Sequence, residues 1–266
     1  MLLTSEQIDL FKQAIKDRRI SVGVFDLETS PSLFYGFSLG KQYVGHTQVK
    51  EGTETKIITA QYKSSLVDKK SKYLVWDFKN GKGDDTKLVK EFVKILSQYD
   101  ILIGQNIRSF DVKVLQERAK ALRLDPVEID ITLDTLVHSR SSFRALSHRL
   151  DFKSKQYGLG GKVRMDMADW IDIMEGRTRP EDKMVPYGLK DNDDTETVFW
   201  NDLPYLNLPR STINKILKMI VGMDEKKGKE PKPFCEVCRK GHRPAFDVKV
   251  TKKGLQCQNC KRRWEP

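Results

Sequence analysis

The four cysteines of this 266-residue chain stand in two C-x-x-C pairs, Cys235/Cys238 and Cys257/Cys260, eighteen residues apart, and none occurs earlier. Two such knuckles have the spacing of a tetrahedral four-thiolate zinc site. A closed site of that kind is structural, and one Zn²⁺ supplies folding energy to a segment too short to build its own core. The cysteines therefore divide the chain. Residues 1–222 are expected to form one sizeable domain, and residues 223–232 (MDEKKGKEPK from Met223) a polar linker carrying Gly and Pro. Residues 233–266 are expected to form the zinc-bound unit, with short β-rich runs between Ala245 and Leu255. Grouping of this kind favours metal over disulfides, and a thioredoxin-like redox pair lacks its fold context.

Charge follows the same division. The net charge is +11, and residues 224–266 alone hold 13 Lys/Arg against 6 Asp/Glu. A basic tail on a near-neutral body suits a polyanionic partner, because Lys and Arg displace counterions from phosphates. Arg262 and Arg263, beside Trp264, are candidates for phosphate contact with base stacking nearby; a solvated basic face or a protein-docking surface would account for them as well. No run of about 18 apolar residues occurs, so a membrane span is not expected. The first residues, MLLTSE, lack the pattern of a secretory signal, and a cytoplasmic location is expected (a host's cytoplasm, for a viral protein).

Strand-like and helix-like runs alternate along the body, which predicts an α/β domain with a mixed sheet. Ser5–Arg18 reads as a helix with Ile8, Phe11 and Ile15 on one stripe. Arg19–Phe25, Lys56–Tyr62 and Tyr73–Phe78 read as strands, and Asn80–Asp84 as a turn. Asp85 is placed to cap the next helix. Ile101–Ile103 reads as a buried strand, Asp111 as the start of a helix and Ile129–Leu133 as a strand. Mostly helical sequence runs on to about Met223.

Three acidic segments carry the chemistry. Asp26-Leu27-Glu28 follows the first strand, and in extended backbone residues i and i+2 share a side, so both carboxylates converge. Such a pair is costly unless a cation neutralises it, although a strand ending in polar residues would look the same. Asp111 follows an apolar strand and a polar loop, a place where an Asp is often only an N-cap. Tyr187 and Asp191, four apart at the expected opening of a helix, project from one face. Asp193 and Asp194 lie close enough to compete with Asp191. His46, His138 and His148 have no metal-ligand spacing, and Asp134 reads as a structural acid.

Taken together, Asp26-x-Glu28-Thr29, Asn106-x-x-x-Phe110-Asp111 and Tyr187-x-x-x-Asp191 resemble, in order and spacing, the three motifs of the DEDD superfamily of 3′→5′ exonucleases. The resemblance spans residues 20–206 and is nearest to a phage-type group of predicted exonucleases. Asp134-Thr135-Leu136, Gly158-Leu159-Gly160-Gly161-Lys162 and Phe199 agree with that group. Pro186 occupies the place where the histidine-bearing branch wants His, which leaves the tyrosine-bearing branch. An acidic pair follows Asp191 where the family pattern is apolar.

The resemblance implies a ribonuclease H-like mixed sheet flanked by helices, with the tail as a small zinc ribbon. It implies two Mg²⁺ or Mn²⁺ ions. Asp26, Glu28 and Asp191 would hold the ion that activates water, with Asp26 bridging to a second ion near Asp111. Tyr187 would orient the nucleophile, since a phenol with pKa near 10 is neutral at neutral pH. Thr29, Asn106 and Lys162 would contact nucleic acid, and Phe110 is expected to pack beneath the site. The substrate expected is the 3′ end of single-stranded DNA or RNA. A catalytically silent nucleic-acid-binding module and a ribonuclease H-like endonuclease are the alternatives.

Overall fold

A computed structural model describes residues 1–37, 43–160, 163–224, 248–251, 254–257 and 263–264. The chain forms two compact units, Met1–Ile216 and Leu217–Pro266.

The first unit opens with α1 (Ser5–Lys16), whose capping box pairs Thr4 with Gln7. β1 (Val22–Thr29), β2 (Ile57–Ser64) and β3 (Lys72–Val75) follow, then β4 (Asp77–Lys79) and β5 (Lys82–Asp84). After them come α2 (Thr86–Leu96), β6 (Ile101–Gly104), α3 (Asp111–Ala121) and β7 (Ile131–Asp134). Four further helices follow, α4 (Thr135–Ser142), α5 (Leu150–Gln156), α6 (Met167–Met174) and α7 (Pro180–Asp202), and then α8 (Arg210–Asp224), which begins in the first unit and ends in the second.

The main sheet has the order β3-β2-β1-β6-β7 and is mixed. β1–β2 and β2–β3 are antiparallel, whereas β1–β6 and β6–β7 are parallel. Helices cover both faces, as the interleaved sequence pattern requires. On one face Phe25 and Leu27 of β1 join Leu88, Val89, Phe92 and Leu96 of α2 and Leu115 of α3. Phe25 meets Phe92 edge-on at 5.5 Å between ring centroids. On the other face Ile58 packs with Trp76, Ile173 and Met184, and α7 lies across β1 and β2. Because side chains alternate along a strand, burying Phe25 and Leu27 on the α2 face directs Asp26 and Glu28 toward α7.

Several expectations shift. β1 does not end at Phe25: its pairing with β2 continues through Asp26↔Gln61 and Glu28↔Thr59, so both acids lie inside the strand. The ladder slips just after Glu28, where Thr29 pairs with Ile57, and such a bulge re-aims the side chains beside it. The strand expected over Tyr73–Phe78 breaks at Trp76, whose amide turns to the carbonyl of Ile58. Beyond it β4 and β5 form a tight hairpin through Asn80 (φ 52°) and Gly81 (φ 72°), the paired left-handed residues of a type I′ turn. Asp85 precedes α2 without capping it: its carboxylate takes Arg118 at 2.7 and 2.6 Å and the amide of Ile57 at 3.0 Å.

In the second unit β8 (Val248–Thr251), β9 (Gly254–Cys257) and β10 (Arg263–Trp264) form an antiparallel sheet ordered β10-β9-β8. Cys257 ends β9 and Arg263 begins β10. Cys235, Cys238, Cys260, Arg262 and Lys162 lie outside the described residues, as does most of the 223–232 linker. Among the described residues no helix is long and apolar enough to cross a membrane.

Candidate active site

The site is built from four elements that meet where β1 outruns its parallel neighbour. Pairing of β1 with β6 ends at Val24↔Ile103, and β6 itself ends at Gly104. The chain turns at Asn106, which adopts left-handed backbone (φ 63°), and enters α3 at Asp111. The amide of Leu27, left without a strand partner on that edge, donates to Asp111 Oδ1 at 3.1 Å. Asp111 does not cap its own helix; Phe110 holds the cap position, and the Asp111 carboxylate is spent on β1. It is 3% exposed. Burial pushes its pKa up to about 7, against the bonds from its own amide and that of Leu27, and the charge of Asp134 adds to the rise.

Asp134 is fully buried and holds the turn in shape. It caps α4 through the amides of Leu136 and Val137, and it also accepts from the amides of Asn106 and Arg108, both at 3.1 Å. Asn106 is therefore fixed through its backbone, with its side chain half-buried. Phe110 is 42% exposed instead of packing beneath the site, because its helix-cap position turns the ring outward.

The third segment does not open a helix as expected. Tyr187 and Asp191 lie well inside the 23-residue α7, with Pro186 tolerated in its body. Their i, i+4 spacing still puts them on one face. The Tyr187 hydroxyl is hydrogen-bonded to Asp191, and burial followed by the charges of Asp191, Glu28 and Asp26 drives its pKa well above the ordinary tyrosine range. A neutral hydroxyl facing three carboxylates acts as a donor. The neighbouring acids of α7 are engaged elsewhere. Asp193 takes Lys63 at 3.0 Å and the Ser71 hydroxyl at 2.7 Å, while both oxygens of Asp194 take Lys190 at 2.5 Å. Lys190 also holds the carbonyl of Leu159, tying α7 to the loop whose Gly158 and Gly160 both have left-handed φ.

Close packing sets the distance between α7 and the sheet. A Cβ on Gly188 would come within 2.4 Å of the buried Gln61 side chain, and Gln61 is the cross-strand partner of Asp26. The residue after Tyr187 is thus one whose lack of a side chain lets the helix sit this low.

One contributor had no signal in the sequence. Trp170 of α6 packs its ring edge-on against Tyr187, 6.2 Å between centroids and 74° between planes, and its indole N–H donates to the Thr29 carbonyl at 3.1 Å. With Thr29, Pro31, Met165, Asp166 and Met167 it lines a cleft of about 300 Å³.

Carboxylates and a phenol are hard oxygen donors, the set that suits Mg²⁺ or Mn²⁺. Among the described residues no three His, Cys, Asp or Glu side chains stand gathered closely enough to form a metal cage as they are. Like charges around one site repel until a cation neutralises them.

Residues 47–174 match the family model for the exonuclease domain of family B DNA polymerases. That model describes a 3′→5′ exonuclease domain, a hydrolase of phosphodiester bonds, and exonuclease domains of that family use divalent metals. The matched stretch includes Asp111; it begins after Glu28 and ends before Tyr187. No curated protein matches the chain. Among solved structures, the family B DNA polymerase from the hyperthermophilic archaeon Pyrobaculum calidifontis is similar, with a TM-score of 0.52 and 17% identity. The likeness covers 70% of this chain and 25% of the polymerase, so the chain spans about a quarter of that protein. What the two share is the fold, a mixed sheet flanked by helices.

Proposed function

We propose that this protein removes nucleotides one at a time from the 3′ ends of single-stranded nucleic acid by metal-dependent hydrolysis. One observation carries the reading: Tyr187 bonds to Asp191 within electrostatic reach of Glu28 and Asp26, while Asp111 grips the amide between those two acids. Five residues from three distant segments thereby serve one place, and four of them are carboxylates.

In this reading Asp26, Glu28 and Asp191 would hold one divalent ion, and Asp26 with Asp111 would hold a second. Two such ions, when bound, stabilise the attacking and leaving oxygens and lower the pKa of water. Tyr187, kept protonated by its carboxylate neighbours, donates its one proton to Asp191 and accepts from the attacking water, aiming it at the terminal phosphate. Asp191 is the acid of its segment because only its register places a tyrosine four residues earlier on the same helical face. Thr29 and Asn106 contact the terminal nucleotide, and Lys162 its phosphate. Residues 1–222 form the catalytic domain, joined through 223–232 to a zinc ribbon at 233–266. There Cys235, Cys238, Cys257 and Cys260 bind one Zn²⁺, and Arg262 and Arg263 meet phosphates of the strand.

The test compares a linear 5′-labelled single strand with a circular one, in DNA and in RNA, with Mg²⁺ and with Mn²⁺. A ladder shortening from the 3′ end, with the circle spared, supports the proposal, and the faster polymer names the substrate. A nicked circle would replace it with an endonuclease, and retention of both strands without cleavage with a binding module.

A further inference from the structure

We propose that Trp170 is a positioning residue for Tyr187, an assignment that rests on the hydrolytic reading above. The indole makes two different contacts across the site. Its N–H holds the carbonyl of Thr29, at the end of β1 immediately past Glu28, and its ring packs edge-on against Tyr187 of α7. One side chain thus spans the strand that carries two of the acids and the helix that carries the third.

The indole is itself held firmly. α6 begins with a reciprocal capping box, in which Asp166 accepts from the Asp169 amide at 3.1 Å and Asp169 from the Asp166 amide at 2.8 Å. Asp169 also takes Lys183 of α7, so α6 and α7 are tied one turn before Tyr187. The inner side of α6 packs through Ile173 against Ile58, Trp76 and Met184. A ring fixed at its base, at its N–H and along its edge leaves Tyr187 a narrow choice of rotamers. The same indole lines the cleft it shares with Thr29, Pro31 and Met165.

Tyr187 must place one hydroxyl relative to three carboxylates, and small misplacements of an orienting group are expensive in rate. Trp170→Ala is therefore expected to lower kcat about tenfold while KM changes less than about threefold. Trp170→Phe keeps a ring against Tyr187 and loses only the bond to Thr29, so it should recover most of that loss. In a Tyr187→Phe background, with no hydroxyl left to place, Trp170→Ala should change kcat less than about twofold.

The experiment measures kcat and KM for single-strand hydrolysis by these four proteins and the wild type, alongside thermal melts. A Trp170→Ala protein as active as the wild type overturns the inference. So does a loss of the same size in the Tyr187→Phe background, which would show that the indole acts through something other than the hydroxyl. A wild type that hydrolyses nothing sinks the parent reading and this inference with it. An active wild type with an indifferent Trp170 sinks the inference alone.

Discussion

The backbone amide of Leu27, the residue between Asp26 and Glu28, donates to the carboxylate of Asp111 across 3.1 Å and 84 positions of sequence. That bond closes the one edge of β1 that β6 leaves open, and it brings a third acid beside the first two.

It leads directly to a first prediction. Asp111→Asn keeps an oxygen for the Leu27 amide but removes the charge, so melting should be little changed while hydrolysis falls on the order of 100-fold. Asp111→Ala leaves a buried donor without a partner and should also cost about 1–3 kcal/mol of stability. Thermal melts and rates for the two variants check both parts. An active Asp111→Asn would remove this residue from the chemistry.

The packing of α7 supplies the second. Gly188→Ala adds a methyl where only 2.4 Å separates it from Gln61, and the helix must lift or Gln61 must yield. If the helix lifts, Tyr187 and Asp191 move away from β1, and activity should fall roughly 10- to 100-fold. Adding Gln61→Ala should restore much of it by making room. Failure of the second change to rescue the first would mean that the methyl acts in some other way.

The third separates stability from chemistry. Asp85 is 1% exposed in its side chain and is bonded by two nitrogens of Arg118 and by the Ile57 amide. Removing one partner strands a buried charge, so Arg118→Leu should cost about 3–5 kcal/mol in denaturant unfolding. The activity of the fraction that remains folded should stay close to wild type.

A fourth concerns pH. Burial holds the pKa of His138 below its usual 6.5, with Arg108 lowering it further and Asp134 opposing. A base whose folded pKa is depressed is neutral in the fold while the unfolded chain takes up a proton. Its environment therefore costs nothing above pH 6.5, and stability is lost as pH falls from there toward the depressed value, by at most about 1.4 kcal/mol per pH unit. His138→Gln should flatten the difference between denaturant unfolding at pH 7.5 and pH 5.5. An unchanged slope would show that His138 titrates alike in both states.

The parts of this arrangement that were legible in the sequence are those set by local period. Alternation along β1 and the four-residue step along α7 put the acids and the tyrosine on defined faces before any tertiary contact is known. What the sequence hides depends on where elements stop. Asp111 and Asp85 both read as helix caps, the commonest reason for an Asp at a helix start. The first is instead claimed by an amide that is exposed only because β6 ends at Gly104, and the second by an arginine 33 positions away. Phe110 is expected to pack beneath the site, yet its cap position leaves it 42% exposed. Trp170 carries no motif at all, since its two contacts exist only once α6 is laid beside β1 and α7.

The most direct measurement is release of labelled mononucleotide from a 3′-labelled single strand in Mg²⁺, for the wild type and for Asp26→Ala. The account predicts release by the wild type that EDTA abolishes and that the variant loses by at least about 100-fold. Equal release by the two proteins, or release that persists in EDTA, would contradict it.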